Sequence, residues 1–116
     1  MTDEIINIKI YQIINSPIAV TTSDAKKVFE ILKTHILNNE TVQLDFDGVT
    51  SITTAFLNVA IGALYTVADG ETLNRLVKLN PNTIRPIQLR KIFAVIENAK
   101  SKKLGMKDWY YASSPT

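Results

Sequence analysis

The sequence predicts an α/β layered fold, with a mixed sheet of about four strands and three main helices. Two patterns and their order carry that prediction. Val42, Leu44 and Phe46 alternate with Gln43 and Asp45 at strand period, while Ala25, Val28, Leu32 and Ile36 recur at helical spacing. Strand-like and helix-like segments then succeed one another along the chain, which requires crossover connections and makes part of the sheet parallel.

Taken in order, Ile6, Ile8 and Ile10 point one way and Asn7, Lys9 and Tyr11 the other, predicting a strand over residues 4–13. Asn15-Ser16-Pro17 interrupts it, and Ile18-Ala19-Val20 reads as a short second strand. Thr22 or Ser23 is expected to cap the first helix, with Lys26, Lys27, Glu30 and Lys33 outward and Asn38-Asn39 at its end. The strand at Val42 to Phe46 runs into a turn pair, Asp47-Gly48, and Thr53-Thr54 stand where a cap is needed before a long apolar helix. Phe56, Leu57, Val59, Ala60, Ile61, Ala63, Leu64 and Val67 surround that helix, so it is either wedged between neighbours or offered to another molecule. Gly62 suits a close approach there.

Asp69-Gly70 is expected to stop the chain, and Leu76-Val77-Lys78-Leu79 to return as a strand. A last helix presents Leu89, Ile92, Phe93, Ile96 and Ala99 and is expected to end near Ser101 to Gly105. Thr83 is one candidate for its cap, but Pro86 fits the first helical position better. The expected organisation is one domain over 1–105 and a tail over 106–116, whose Trp109, Tyr110 and Tyr111 either cover the fold's own edge or dock onto a partner.

With 116 residues, 46% of them hydrophobic and 21% charged, the chain is long enough for one core and too short for two domains. Having no cysteine, it forms no disulfide and no thiolate metal site. Asp3 and Glu4 stand where a signal peptide is basic, and no apolar run reaches the roughly eighteen residues of a membrane span. A cytoplasmic protein is therefore expected. Residues 1–70 hold four lysines against eight acids, a net of −4, and residues 71–116 hold nine Lys/Arg against three acids, a net of +6. That asymmetry raises nucleic acid as a partner. The basic residues are not interleaved with aromatics, and Lys100, Lys102 and Lys103 suit a solvated helix end, so nucleic-acid binding is not the expected role.

Val42 to Tyr65, VQLDFDGVTSITTAFLNVAIGALY, concentrates the functional signal, because strand, turn, hydroxyl-rich loop and helix start follow without a spare residue. The order LDFDGV, then Thr50 to Thr54, then Phe56-Leu57 resembles the STAS-like family of unknown function, small bacterial domains related to the STAS domains of anti-sigma-factor antagonists. In the antagonists the corresponding loop reads Asp-Ser-Ser/Thr-Gly and its first serine is phosphorylated. Laid on that pattern, Thr53 takes the place of the Asp, Thr54 that of the phosphoserine, and Ala55-Phe56 that of the last pair. The resemblance implies a STAS-like fold and a regulatory, signalling module that needs no cofactor and binds a protein partner, such as a histidine-kinase-like ATPase, through Thr50, Ser51, Thr53, Thr54, Phe56 and Asn58. It makes Thr54 the candidate phosphoacceptor; the alternative role for Thr54 is a helix cap, which Thr53 would serve equally. A second copy of the chain is another candidate partner.

Asp45-Phe46-Asp47-Gly48-Val49-Thr50 also fits the opening of a haloacid-dehalogenase-type phosphotransferase, with Asp45 attacking phosphorus and Asp47 as acid/base. The chain lacks the downstream acidic pair that such a site needs for its metal, and the segment follows a strand and a helix. Asp45 at a strand end and Asp47-Gly48 in a turn account for the residues more simply. His35, the only histidine, stands alone among helix residues and is expected at the surface or a boundary. No metal site and no catalytic group are expected.

Overall fold

The computed structural model describes residues 4–112, with side chains through Ser101. The fold is α/β. Strands β1 (Ile5–Lys9), β3 (Thr41–Asp45) and β5 (Val77–Leu79) form a parallel sheet in the order β1-β3-β5. Strands β2 (Ile18–Ala19) and β4 (Ser51–Ile52) form a separate parallel pair. Helices α1 (Ile10–Ile14), α2 (Thr22–Leu37), α3 (Thr54–Ala60), α4 (Gly70–Leu76) and α5 (Pro86–Ala112) complete it, with 3₁₀ turns at Gly62–Thr66 and Pro81–Thr83. Among the described residues every strand pairing is parallel, where a single mixed sheet was expected.

Register gives the sheet one apolar face. Ile6 and Ile8 stand beside Val42 and Leu44, which stand beside Val77 and Leu79. Asn7, Lys9 and Lys78 alternate to the opposite face and are exposed. This alternation differs from the apolar-throughout strands of a parallel sheet covered on both faces.

The first segment departs from expectation. The strand stops at Lys9, and Ile10 to Ile14 coil into a helix that buries Ile10 and Ile14 one turn apart. Asn15 closes it in the left-handed region at φ 55°, its N–H bonding the Tyr11 carbonyl at 2.7 Å. α2 follows the expected pattern, burying Ala25, Val28, Leu32 and Ile36. Its cap is Thr21, not Thr22 or Ser23: the Thr21 hydroxyl accepts from the Asp24 N–H at 3.1 Å. At the other end His35 is half-buried, with Nδ1 2.7 Å from a Glu40 carboxylate oxygen.

The central apolar helix is shorter than its sequence implies. α3 ends at Ala60, Ile61 is a joint, and the chain continues as the 3₁₀ turn Gly62–Thr66. Its apolar character all round has a packing cause, since α3 lies between α2 and α5 and buries Phe56, Leu57 and Ala60. Gly62 meets α5 closely; a Cβ there would lie 3.3 Å from Val95 Cγ1. Asp69-Gly70 starts a helix instead of stopping the chain, because the Asp69 carboxylate accepts from the Thr72 N–H at 2.8 Å and caps α4, and the expected return strand follows as β5.

Pro86 takes the first position of α5, which buries Ile92 and Val95 and leaves Phe93 exposed. α5 continues through Ala112, past the expected end, because Lys102, Lys103, Leu104, Met106 and Lys107 all favour helix and Gly105 alone does not stop it. The side chains of Trp109, Tyr110 and Tyr111 lie outside the described residues. Among the described residues no helix is long and apolar enough to cross a membrane.

Candidate functional site

The segment between β3 and α3 is fixed by hydrogen bonds to three other parts of the chain. At the end of β3, the Phe46 N–H donates to the Thr83 hydroxyl at 3.0 Å. The turn closes as Val49 N–H donates to the Phe46 carbonyl at 3.0 Å, with Gly48 at φ 89°. Gln88 is buried in α5; its side-chain N–H donates to the Val49 carbonyl at 3.0 Å and its oxygen accepts from the Arg85 N–H at 3.0 Å. One side chain thus completes the start of α5 and ties it to the turn. The Pro17 carbonyl accepts from the N–H groups of Thr50 at 2.8 Å and Ser51 at 3.2 Å. The Thr53 N–H donates to Ala19, and Lys91 Nζ donates to the Ile52 carbonyl at 2.9 Å.

The two threonines divide their duties. The Thr53 hydroxyl accepts from the Phe56 N–H at 3.1 Å, so Thr53 is the N-cap of α3. Thr54 is the first helical residue and is exposed. Of the sequence-predicted residues, Thr50, Ser51, Thr54 and Asn58 share the exposed rim and Thr53 is half-buried beneath it. Phe56 corrects the expectation: it is 1% exposed, a core residue between α2 and α5, with no surface for a partner to touch.

The sequence reading missed the other half of the rim. Ile18 pairs in register with Ser51, so their side chains lie on one face, and both are exposed. Val20, just beyond, is exposed as well. The Ile18-Ala19-Val20 run was legible as a strand, but nothing local announces which segment it joins. Gln88 and Lys91 carried no signal, since each works through a carbonyl about forty positions away.

Asp45 and Asp47 do not form a matched pair. Asp45 is buried; one carboxylate oxygen accepts from the Asp47 N–H at 2.9 Å and the other from Asn7 Nδ2 at 3.1 Å. Asp47 is exposed on the turn, beside a cleft of about 230 Å³ between residues 46–50 and 82–85. Among the described residues no group of three or more His, Asp or Glu is placed to hold a metal ion. The basic half is partly committed to the chain itself: Arg75 donates to the Asn39 side chain, Lys78 to the Asn74 carbonyl and Lys91 to Ile52.

The fold is thus parallel α/β, with a Thr53-capped, hydroxyl-bearing helix start leading out of the β2–β4 pair. The family model described as STAS-like domain of unknown function (DUF4325) matches residues 24–81, from the first turn of α2 through the end of β5, and the chain belongs to that family. Neither a comparison with curated proteins nor one with solved structures gave a match.

Proposed function

We propose that this domain is a non-enzymatic regulatory module that binds a protein partner through the rim formed by Thr50, Ser51, Thr54, Asn58, Ile18 and Val20. The observation that carries this reading is the juxtaposition of exposed Ile18 and Val20 with exposed hydroxyls on a frame held by backbone hydrogen bonds. Apolar side chains left in water beside polar groups favour a covering partner. By the family's relation to anti-sigma-factor antagonists, the partner is a cytoplasmic ATPase of the histidine-kinase-like type, and Thr54 is its phosphoacceptor.

Phosphate on Thr54 adds charge and bulk at a packed interface without requiring the helix to unwind, because the cap belongs to Thr53. The test is calorimetric binding to such an ATPase encoded beside this protein, with intact mass after incubation with ATP. Thr54→Glu is expected to weaken the complex by about 1–3 kcal/mol. Asp45→Asn is expected to keep binding, and the purified protein to lack magnesium-dependent turnover of phosphoesters. Unchanged binding by Thr54→Glu would move the interface elsewhere. Turnover abolished by Asp45→Asn would make the chain a phosphotransferase.

A further inference from the structure

On the apolar side of the main sheet, lined by residues that the rim does not use, lies a cavity of about 140 Å³. Leu44 and Leu79 of the sheet, Leu64 of the 3₁₀ turn, Leu73 of α4 and Ile92 and Ile96 of α5 supply much of its wall. Nine of its eleven lining residues have hydrocarbon side chains, the exceptions being Tyr65 and Asn74. The space is partly open to solvent, so its hydrocarbon lining stays in contact with water until something apolar covers it. Water is a poor filler here, because an ordered water needs two to four polar partners and this lining offers few.

The cavity has a marked mouth. Phe93 lines it and is nevertheless 52% exposed, and Asn74 beside it is exposed too. A large aromatic side chain shared between a cavity wall and solvent is explained if something apolar passes it or rests against it. No lysine or arginine and no acid lines the cavity, so a charged ligand finds no counter-charge inside.

We infer that this cavity binds a small uncharged apolar molecule of about six to eight non-hydrogen atoms, a single aromatic ring or a short branched alkyl group; an apolar cavity of closely similar volume in another protein takes up benzene. Such a ligand enters past Phe93, and its one permitted polar substituent points back toward Asn74 at the mouth. This inference is independent of the partner-binding reading, because the two sites share no residue.

Toluene is the probe, titrated into the full chain and followed by methyl NMR and by thermal melting. Saturable shifts confined to the methyls of Leu73, Ile92 and Ile96, with a dose-dependent rise in melting temperature, are expected. Benzoate, the same ring carrying a charge, is expected to leave those methyls unmoved. Leu73→Phe, which fills the space, is expected to abolish the toluene response; if that variant fails to fold, the benzoate comparison on the unaltered protein still decides. Absence of a saturable shift at the solubility limit of toluene overturns the inference. So do shifts spread equally to the exposed Leu37 and Ile87 methyls, or an undiminished response in folded Leu73→Phe.

Discussion

Replacing Thr53 and Thr54 one at a time separates the capping role from the proposed signalling role. Thr53→Ala removes the hydroxyl that accepts from the Phe56 N–H at 3.1 Å. Because Phe56 is a core residue, little water reaches that donor, and the loss falls within the N-cap range of about 1–2 kcal/mol. At about 2.1 cal/mol/K per residue, a chain of 116 residues unfolds with an entropy of about 0.24 kcal/mol/K, so each kcal/mol lowers the melting temperature by about 4 °C. Thr53→Ala is therefore expected to melt about 4–8 °C lower by calorimetry. Thr54→Ala, at an exposed first helical position, is expected to stay within about 2 °C of the parent, and Thr54→Glu likewise, since an acid in the first turn is electrostatically favoured. If Thr54→Ala falls as far as Thr53→Ala, Thr54 is serving as the cap and the division between them is refuted. An unfolded Thr54→Glu would mean that the residue is buried.

Three further outcomes are expected. Gln88→Leu keeps the size of the side chain but strands the Val49 carbonyl and the Arg85 N–H, for a loss of about 2–4 kcal/mol by chemical denaturation; a loss below about 0.5 kcal/mol would show that the bridge does not form. Gly48→Ala forces an L side chain into φ 89° and brings its Cβ within 2.8 Å of Tyr11 Cδ2. It is expected to cost about 1–2 kcal/mol, and placing it on a Tyr11→Ser background should remove the steric share but not the conformational one. Tyr65 has its pKa raised above 10.0, first by burial and then by the charge of Glu97. The folded state therefore favours the neutral phenol. The stability tied to the neutral phenol is intact below pH 10 and is lost as pH rises from there through the folded-state value, so the parent should lose stability relative to Tyr65→Phe across that range; parallel curves would refute it.

What the sequence disclosed was local. α2 was legible because four buried positions repeat at helical spacing, β3 because Val42, Leu44 and Phe46 alternate, and the turn because Gly48 reaches φ 89° without the Cβ clash that other residues meet there. The errors arose where one pattern serves two structures. Ile6, Ile8 and Ile10 alternate as a strand does, yet Ile10 and Ile14 are also one helical turn apart, and the buried pair decided the matter. Asp69-Gly70 reads as a stop, yet an Asp three residues before a free N–H is equally a cap. The break after Ala60 and the burial of Phe56 depend on α5, whose position no neighbouring residue records.

The candidate site shows the same division more sharply, and its consequence is mechanical. Its hydroxyls are contiguous in sequence and were legible, but the anchors that hold them lie on β2 and α5: carbonyls of Pro17 and Ala19, and side chains of Gln88 and Lys91. Each anchor engages backbone, and none engages the Thr54 hydroxyl. A charge added at Thr54 therefore breaks no bond that holds the rim, so under the proposed function its effect would fall on a bound partner and not on the fold. On that proposal the surface would signal by what it carries and not by refolding. Coupling to the fold would require the modified hydroxyl to be an anchor itself, and in this domain that position belongs to Thr53.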